Sequence, residues 1–309
     1  MQYSSVTAAR FLSRPNRFVA LVEQGGRVLT VHVKNTGRCA ELLQPGTTVY
    51  LTPGQNPARK TSFDLIAVEK PTSAGLRLIN MDSAAPNAAA REWLAAGGLG
   101  ALTVLKPEYR LGDSRFDFYG EGAFGRLLVE VKGCTLEEDG LARFPDAPTL
   151  RGLKHVQELT ALAAQGEHCA VLIVIQMKGV HTFAPNWSTQ PAFGRALAAA
   201  EAAGVRLIAM DCRVAPDHMI LDRPVPIDLT PPPGLSLQEC ESARCLNFPL
   251  FLVKRASLWQ YRGRRLCSAE LIRLFANRFE NCSVLTMHLH PKPFCSLFAE
   301  SIKGADLYG

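Results

Sequence analysis

The sequence has no C-x-x-C pair anywhere among its nine cysteines. That absence removes the commonest zinc and dithiol signatures, and an odd, scattered count argues against a disulfide framework. Reduced thiols in a cytoplasmic protein are the expectation. Long apolar runs are missing too. The longest, "CAVLIVIQM" (169–177), falls far short of the ~20 residues that span a bilayer. The first residues, "MQYSSVTAARFL", lack the apolar core of a signal peptide, so a soluble chain with no membrane partner is expected. There are no internal repeats, and nothing resembles a helix-turn-helix for reading base edges. Charge is not strongly of one sign. The 34 Lys and Arg oppose 28 Asp and Glu, and the net charge of +6 permits an anionic partner without requiring one.

What is present suits a folded α/β (mixed α+β) protein. At 309 residues and 47% hydrophobic content, the chain can build two ordinary domains. Residues 1–86 read as all-β. "RFVALVEQ" and "RVLTVHV" flank Gly25-Gly26, a strong hairpin signal, and "TTVYLTP" and "SFDLIAVEK" follow as strands between Pro/Gly turns. Four or five short strands in this length predict a small barrel. Residues 87–229 alternate helices and strands. "NAAAREWLAAG" is helical, "EYRLGDSRFDFYG" and "GRLLVEVKG" read as an antiparallel pair, and "TLRGLKHVQELTALAAQG" is a helix capped by Thr149 and stopped at Gly166. "AVLIVIQ" and "VRLIAMD" read as buried strands on either side of the helix "PAFGRALAAAEAAG", a βαβ unit with parallel pairing. "TPPPG" then opens a C-terminal extension, 230–309, with one helical pattern, "SAELIRLFANRF".

Chemistry concentrates in the central hairpin. Alternation puts Phe116 and Phe118 on one face of "SRFDFYG" and Arg115, Asp117 and Tyr119 on the other. In "LLVEVKG", Val129 and Val131 share one face, Glu130 and Lys132 the other. Paired, the strands project Asp117, Glu130 and Lys132 together. Two close carboxylates repel, and a hard divalent cation such as Mg²⁺ (or Mn²⁺) relieves that conflict. A neighbouring Lys can orient a water and stabilise phosphate charge, so the set is a compact device for phosphodiester hydrolysis. The same three residues are also ordinary occupants of a polar strand face, where cross-strand charge pairs alone would account for them.

Asp117…Glu130-x-Lys132 resembles the PD-(D/E)XK nuclease signature. Around it, "RFLSRPNRF", "VHVKNTGRCAELLQPG", "RKTSFDL", "SRFDF", "VEVKGCTLEEDGLARFPDAPTLRGLKH" and "APN" resemble the sugar fermentation stimulation protein A family, in order, over residues 10–229. The resemblance implies an OB-like barrel joined to a PD-(D/E)XK nuclease-like domain with a mixed sheet flanked by helices. It also implies sequence-non-specific binding of DNA, or RNA, and a regulatory role in sugar (maltose) metabolism that needs no catalysis. Asp117 and Glu130 would ligate the metal, with the Val131 carbonyl as a third ligand, and Lys132 would position the water. Glu92 occupies the place of a further acidic ligand in some such nucleases. Lys154 and His155 stand where related folds put a group near the scissile phosphate, on a helix that also carries Arg151. "FPDAPT" reads as a stiff loop into that helix, with Asp146 able to hydrogen-bond the turn.

The barrel offers "RPNRF" and "KNTGR". These put Arg14, Asn16, Arg17, Lys34, Asn35 and Arg38 in or beside turns, where Arg can grip phosphate. Phe11, Phe18 and Tyr50 are either base-stacking or core aromatics. The extension holds ten Lys and Arg against six Asp and Glu, and "VKRASLWQYRGRR" could touch nucleic acid or simply be solvated. Cys240, Cys245, Cys267, Cys282, His288, His290 and Cys295 invite a zinc reading, but their spacings fit no ligand pattern. An appendage particular to this lineage, or a poorly folded extension, is the alternative.

Overall fold

Gly25 and Gly26 make the first hairpin. Both have positive φ, +57° and +74°, the backbone a two-residue hairpin turn requires. The computed structural model describes residues 1–235, apart from 36, 55, 57, 74 and 113, and a short hairpin of β16 (Trp259–Tyr261) and β17 (Arg264–Leu266). Met1–Cys240 form one compact unit and Glu241–Gly309 another. The proposed zinc set, the expected helix at 268–279 and most of the basic stretch lie outside the described residues.

The barrel is built from β1 (Thr7–Asn16), β2 (Val19–Gln24), β3 (Arg27–Val33), β4 (Thr48–Pro53) and β5 (Phe63–Thr72). The strands run in the order β3-β2-β1-β4-β5, and parallel pairing of β3 with β5 (His32↔Asp64, Val33↔Leu65) closes the ring. A closed five-stranded barrel of this kind is OB-like. An additional strand, β6 (Gly75–Asn80), hangs on β5. Alternation gives the barrel its core: Ala20 and Val22, Val31 and Val33, Val49 and Leu51 are all fully buried.

The second sheet follows α1 (Ala85–Ala95). Its elements are β7 (Leu102–Leu111), β8 (Ser114–Gly122), β9 (Gly125–Cys134), α2 (Leu150–Ala163), β12 (His168–Ile175), α3 (Pro191–Ala202), β14 (Arg206–Ala215) and β15 (His218–Pro224). A small sheet of β10 (Leu136–Glu138), β11 (Leu141–Phe144) and β13 (Thr182–Pro185) sits beside it. The large sheet has the order β15-β14-β12-β9-β8-β7, with β9, β12 and β14 parallel and the outer pairs antiparallel. The expected single strand "EYRLGDSRFDFYG" is a hairpin instead, β7 turning at Gly112 into β8. Thr149 caps α2, its Oγ1 accepting from Gly152 N at 3.0 Å.

Both faces of this sheet are covered. β12 alternates between them: Val171, Ile173 and Ile175 join a core shared with α2, α3 and the barrel, while Ala170, Leu172 and Val174 join a smaller core under α1. Phe116 and Phe118 divide likewise, Phe116 packing with Tyr119, Leu128, Val156 and Leu159, and Phe118 with Val129, Val131 and α1. The expected shared face for these two rings is therefore corrected. The β8–β9 ladder stops at Phe118↔Val129, and beyond it the Asp117 carboxylate, not a backbone carbonyl, accepts the N–H of Val131. β8 loses its register there.

Polar contacts tie the barrel to the second sheet. Glu137 on β10 is 2% exposed and pairs with Lys70 of β5 and Arg77 of β6. Asp82 pairs with Lys34 at 2.6 Å, and Gln176 donates to the Asn80 and Asp82 carbonyls.

Candidate metal and nucleic-acid site

β9 carries Glu130 and Lys132 on the face that α2 covers. Glu130 is 2% exposed. Its Oε1 accepts from Lys132 Nζ at 2.5 Å and lies 2.5 Å from His155 Nδ1 of α2. Its Oε2 is buried with no hydrogen-bond partner. A buried carboxylate oxygen without a donor is costly. It is the atom that a cation would satisfy.

Asp117 sits beside this group. Oδ2 accepts from Val131 N at 2.8 Å, the residue following Glu130, and Oδ1 accepts from Asn87 Nδ2 of α1 at 2.8 Å. Asp117 thus reaches the β9 backbone one residue past Glu130. Each Asp117 oxygen keeps a free lone pair. Two carboxylates, with water and a carbonyl, suit the oxygen shell of a hard divalent cation. Among the described residues, no three His, Cys, Asp or Glu side chains gather as a metal-binding group.

Glu92, expected as a further ligand, is elsewhere. It is exposed, and its carboxylate pairs with the Met1 amino group at 2.5 Å. Five residues separate it from Asn87, more than a helical turn, so the two cannot both face Asp117. Asn87 is the α1 residue that reaches the site, and its only signal in the sequence is its place in the first turn after Pro86. Cys134 lies two residues past Lys132. Burial pushes its thiol up to about 12, which makes it a poor nucleophile.

The helix residues divide. His155 is buried against Glu130; Arg151 and Lys154 are exposed, Lys154 3.4 Å from Glu158. On the barrel, Arg14 donates to the carbonyls of Gly37, Arg38, Arg17 and Asn35. Its guanidinium therefore clamps two loops together and has no open fork for phosphate. Asn16 and Asn35 are similarly turn-bound, their side-chain oxygens accepting from Phe18 N and Gly37 N. Arg17 and Arg38 are exposed, and Arg17 stacks 4.7 Å over the Phe18 ring, itself 44% exposed. Phe11 is core, and Tyr50 donates to Glu69 at 2.7 Å. Among the described residues, Asp146 has no hydrogen bond to its own turn.

A closed OB-like barrel followed by a PD-(D/E)XK-type sheet, with its acid–acid–lysine set at the middle strands, is the class that fold and site define. Two family models match in that order: the SfsA N-terminal OB domain over residues 12–79 and the sugar fermentation stimulation protein RE domain over 84–218. The chain belongs to the sugar fermentation stimulation protein family. It is 51% identical over 219 residues to a sugar fermentation stimulation protein homolog of Desulfitobacterium hafniense (strain DSM 10664 / DCB-2), covering 71% of this chain and 94% of that one. It is 46% identical over 230 residues to the homolog of Ruminiclostridium cellulolyticum, covering 74% and 100%. Among solved structures, Pyrococcus furiosus SfsA in complex with Ca²⁺ matches with a TM-score of 0.65 and 28% identity, over 74% of this chain and 98% of that one. No helix among the described residues is long and apolar enough to cross a membrane.

Proposed function

We propose that the chain is a metal-dependent nuclease that binds DNA or RNA without sequence preference and hydrolyses its phosphodiester bonds. The observation that carries this reading is the buried Glu130 Oε2, without a hydrogen-bond partner among the described residues, on the carboxylate whose other oxygen accepts from Lys132. The Pyrococcus furiosus relative is in complex with Ca²⁺, which supports a divalent ion, and Mg²⁺ or Mn²⁺ is the working ion of the proposal. Asp117 and Glu130 would hold it, and when bound it supplies electrophilic stabilisation of phosphate charge. Lys132 orients the attacking water and offers its ammonium to the phosphate. His155 fixes the Glu130 rotamer, and Asn87 and the Val131 N–H fix that of Asp117. Exposed Arg17, Arg38, Arg151 and Lys154 would supply salt-sensitive phosphate contacts. The four described cysteines are unpaired, which suits a reducing cytoplasm.

A second reading is occupancy without cutting, a DNA-binding regulator linked to sugar metabolism. The engagement of Glu130 Oε1 by both Lys132 and His155 favours it, because a carboxylate already neutralised has less need of a cation. Incubating single- and double-stranded DNA and RNA with and without Mg²⁺ or Mn²⁺ separates the two. The nuclease reading expects metal-dependent cutting that falls roughly 10²–10⁴-fold in Lys132→Ala, and likewise in Asp117→Asn. Intact binding with no cutting under any condition leaves only the regulator.

A further inference from the structure

Open α/β sheets bind ligands in the crevice outside the carboxyl ends of their parallel strands. At that end of β9 and β12 lies a cleft of about 380 Å³. Gly133 and Gln176 of the sheet line it together with Asn35 and Gly37 of the barrel, Asp146, and Arg143, whose guanidinium is paired with Glu138 at 2.8 Å. None of Asp117, Glu130, Lys132 and His155 lines it; the cleft is linked to them along the chain, Gly133 following Lys132 and Thr149 capping the helix that carries His155. Asp146 lines this space and, among the described residues, has no hydrogen bond or ion pair. Its Oδ2 lies so close to Gly37 that a Cβ there would come within 2.4 Å. The carboxylate is therefore set in the seam between barrel and sheet, not swung into solvent.

An uncompensated carboxylate repels phosphate and accepts only donors. The occupant must then bring N–H groups into the cleft and leave its phosphate outside, near Lys132. A nucleobase does this. The volume lies at the small end of ligand sites, enough for one nucleotide and too little for a base with its pairing partner. We propose that the cleft seats a single unpaired nucleobase beside the phosphate handled at Asp117, Glu130 and Lys132, with Asp146 accepting from its Watson–Crick edge. Guanine fits best, because its N1–H and N2–H lie side by side toward two carboxylate oxygens. Thymine offers one N–H between two carbonyls, which the carboxylate repels. This rests on the reading that the acid–lysine site meets nucleic acid. It makes single strands, or frayed ends, the substrate class.

The test uses the full-length chain with Lys132→Ala, so that strands stay whole, in Ca²⁺. Fluorescence anisotropy compares a thymidine oligonucleotide carrying one dG, the all-thymidine strand and a blunt duplex. The dG strand should bind tighter than all-thymidine by roughly 5- to 100-fold, the range of one bidentate contact, and the duplex should bind weakest. Asp146→Asn should abolish the dG advantage at unchanged Tm. Gly37→Ala, which displaces the Asp146 carboxylate without altering it, should do the same. Equal affinity for dG and thymidine strands, or a dG advantage that survives Asp146→Asn, overturns the proposal. Metal-dependent cutting by the wild-type chain with no dG advantage removes the cleft alone. A dG advantage that depends on Asp146, in a chain that never cuts, removes the nuclease and leaves the cleft.

Discussion

Replacing Glu137 with Gln should loosen the barrel from the sheet. Glu137 Oε2 lies 2.9 Å from Lys70 Nζ, and Oε1 lies 2.5 Å from both Arg77 Nη1 and Gly140 N. The amide can still accept from Gly140, but it leaves two mostly buried cations, 19% and 13% exposed, without their counter-charge. Removing one member of a buried pair costs about 3–5 kcal/mol. Because both cations keep some water, the lower end, about 3 kcal/mol, is the figure to expect. For a unit of this size that lowers Tm by roughly 6–12 °C. The loss should depend on pH. Burial pushes the Glu137 carboxyl up, but the hydrogen bonds from Lys70, Gly140 and Arg77 outweigh it and hold the group below the usual carboxylate range. A carboxyl lowered by folding stabilises above its unfolded value of about 4.3 and stops doing so as pH falls through the folded value. Calorimetry should therefore find the full gap between wild type and Glu137→Gln at pH 7 and 5.5, shrinking below about pH 4. A Tm change under about 2 °C at pH 7, or a gap constant down to pH 3, refutes the reasoning.

Asn87→Ala removes the 2.8 Å bond to Asp117; titration calorimetry with Mn²⁺ should show affinity reduced roughly 3- to 10-fold, the worth of one hydrogen bond, at near-normal Tm. Arg14→Lys should cost about 1–3 kcal/mol of stability in urea unfolding, because a lysine cannot reach four carbonyls at once; if Arg14 mainly grips phosphate, the loss would instead appear in DNA affinity. Phe18→Ala should weaken single-strand binding by the loss of one stacking platform, about 1–3 kcal/mol, with Tm unmoved, since the ring is already exposed. Burial pushes the thiols of Cys39, Cys134, Cys169 and Cys212 up to about 12; peptide mapping at pH 8 should find these four unlabelled by iodoacetamide in the folded chain and labelled in urea.

Local chemistry was legible in the sequence. Gly25-Gly26, the Thr149 cap, the stop at Gly166 and the βαβ unit around α3 follow from signals a few residues long. The break of alternation at Asp117 was not, because it depends on a side chain replacing a backbone acceptor across to β9. The β7–β8 hairpin was missed by reading one strand straight through Gly112, although Gly-Asp is itself a turn signal. At the site, period two put Asp117 and Glu130 on one face, whereas the Asp117 carboxylate bonds the Val131 N–H and Asn87, and helix position failed for Glu92. Which helix residue reaches the sheet is set by how α1 packs, and that exceeds any spacing rule. Arg14 looked like a phosphate ligand for the reason it makes a good clamp: a guanidinium fork suits carbonyls as well as phosphate oxygens.

β9 lies between β8, which precedes it, and β12, which begins more than thirty residues after it ends. During synthesis, then, the strand bearing Glu130 and Lys132 leaves the ribosome with one hydrogen-bonding edge bare, and it stays bare until residues 168–175 follow. An unpaired edge is a template for other chains. Nascent chains halted between these two strands should be the ones that aggregate, and the first to need a chaperone.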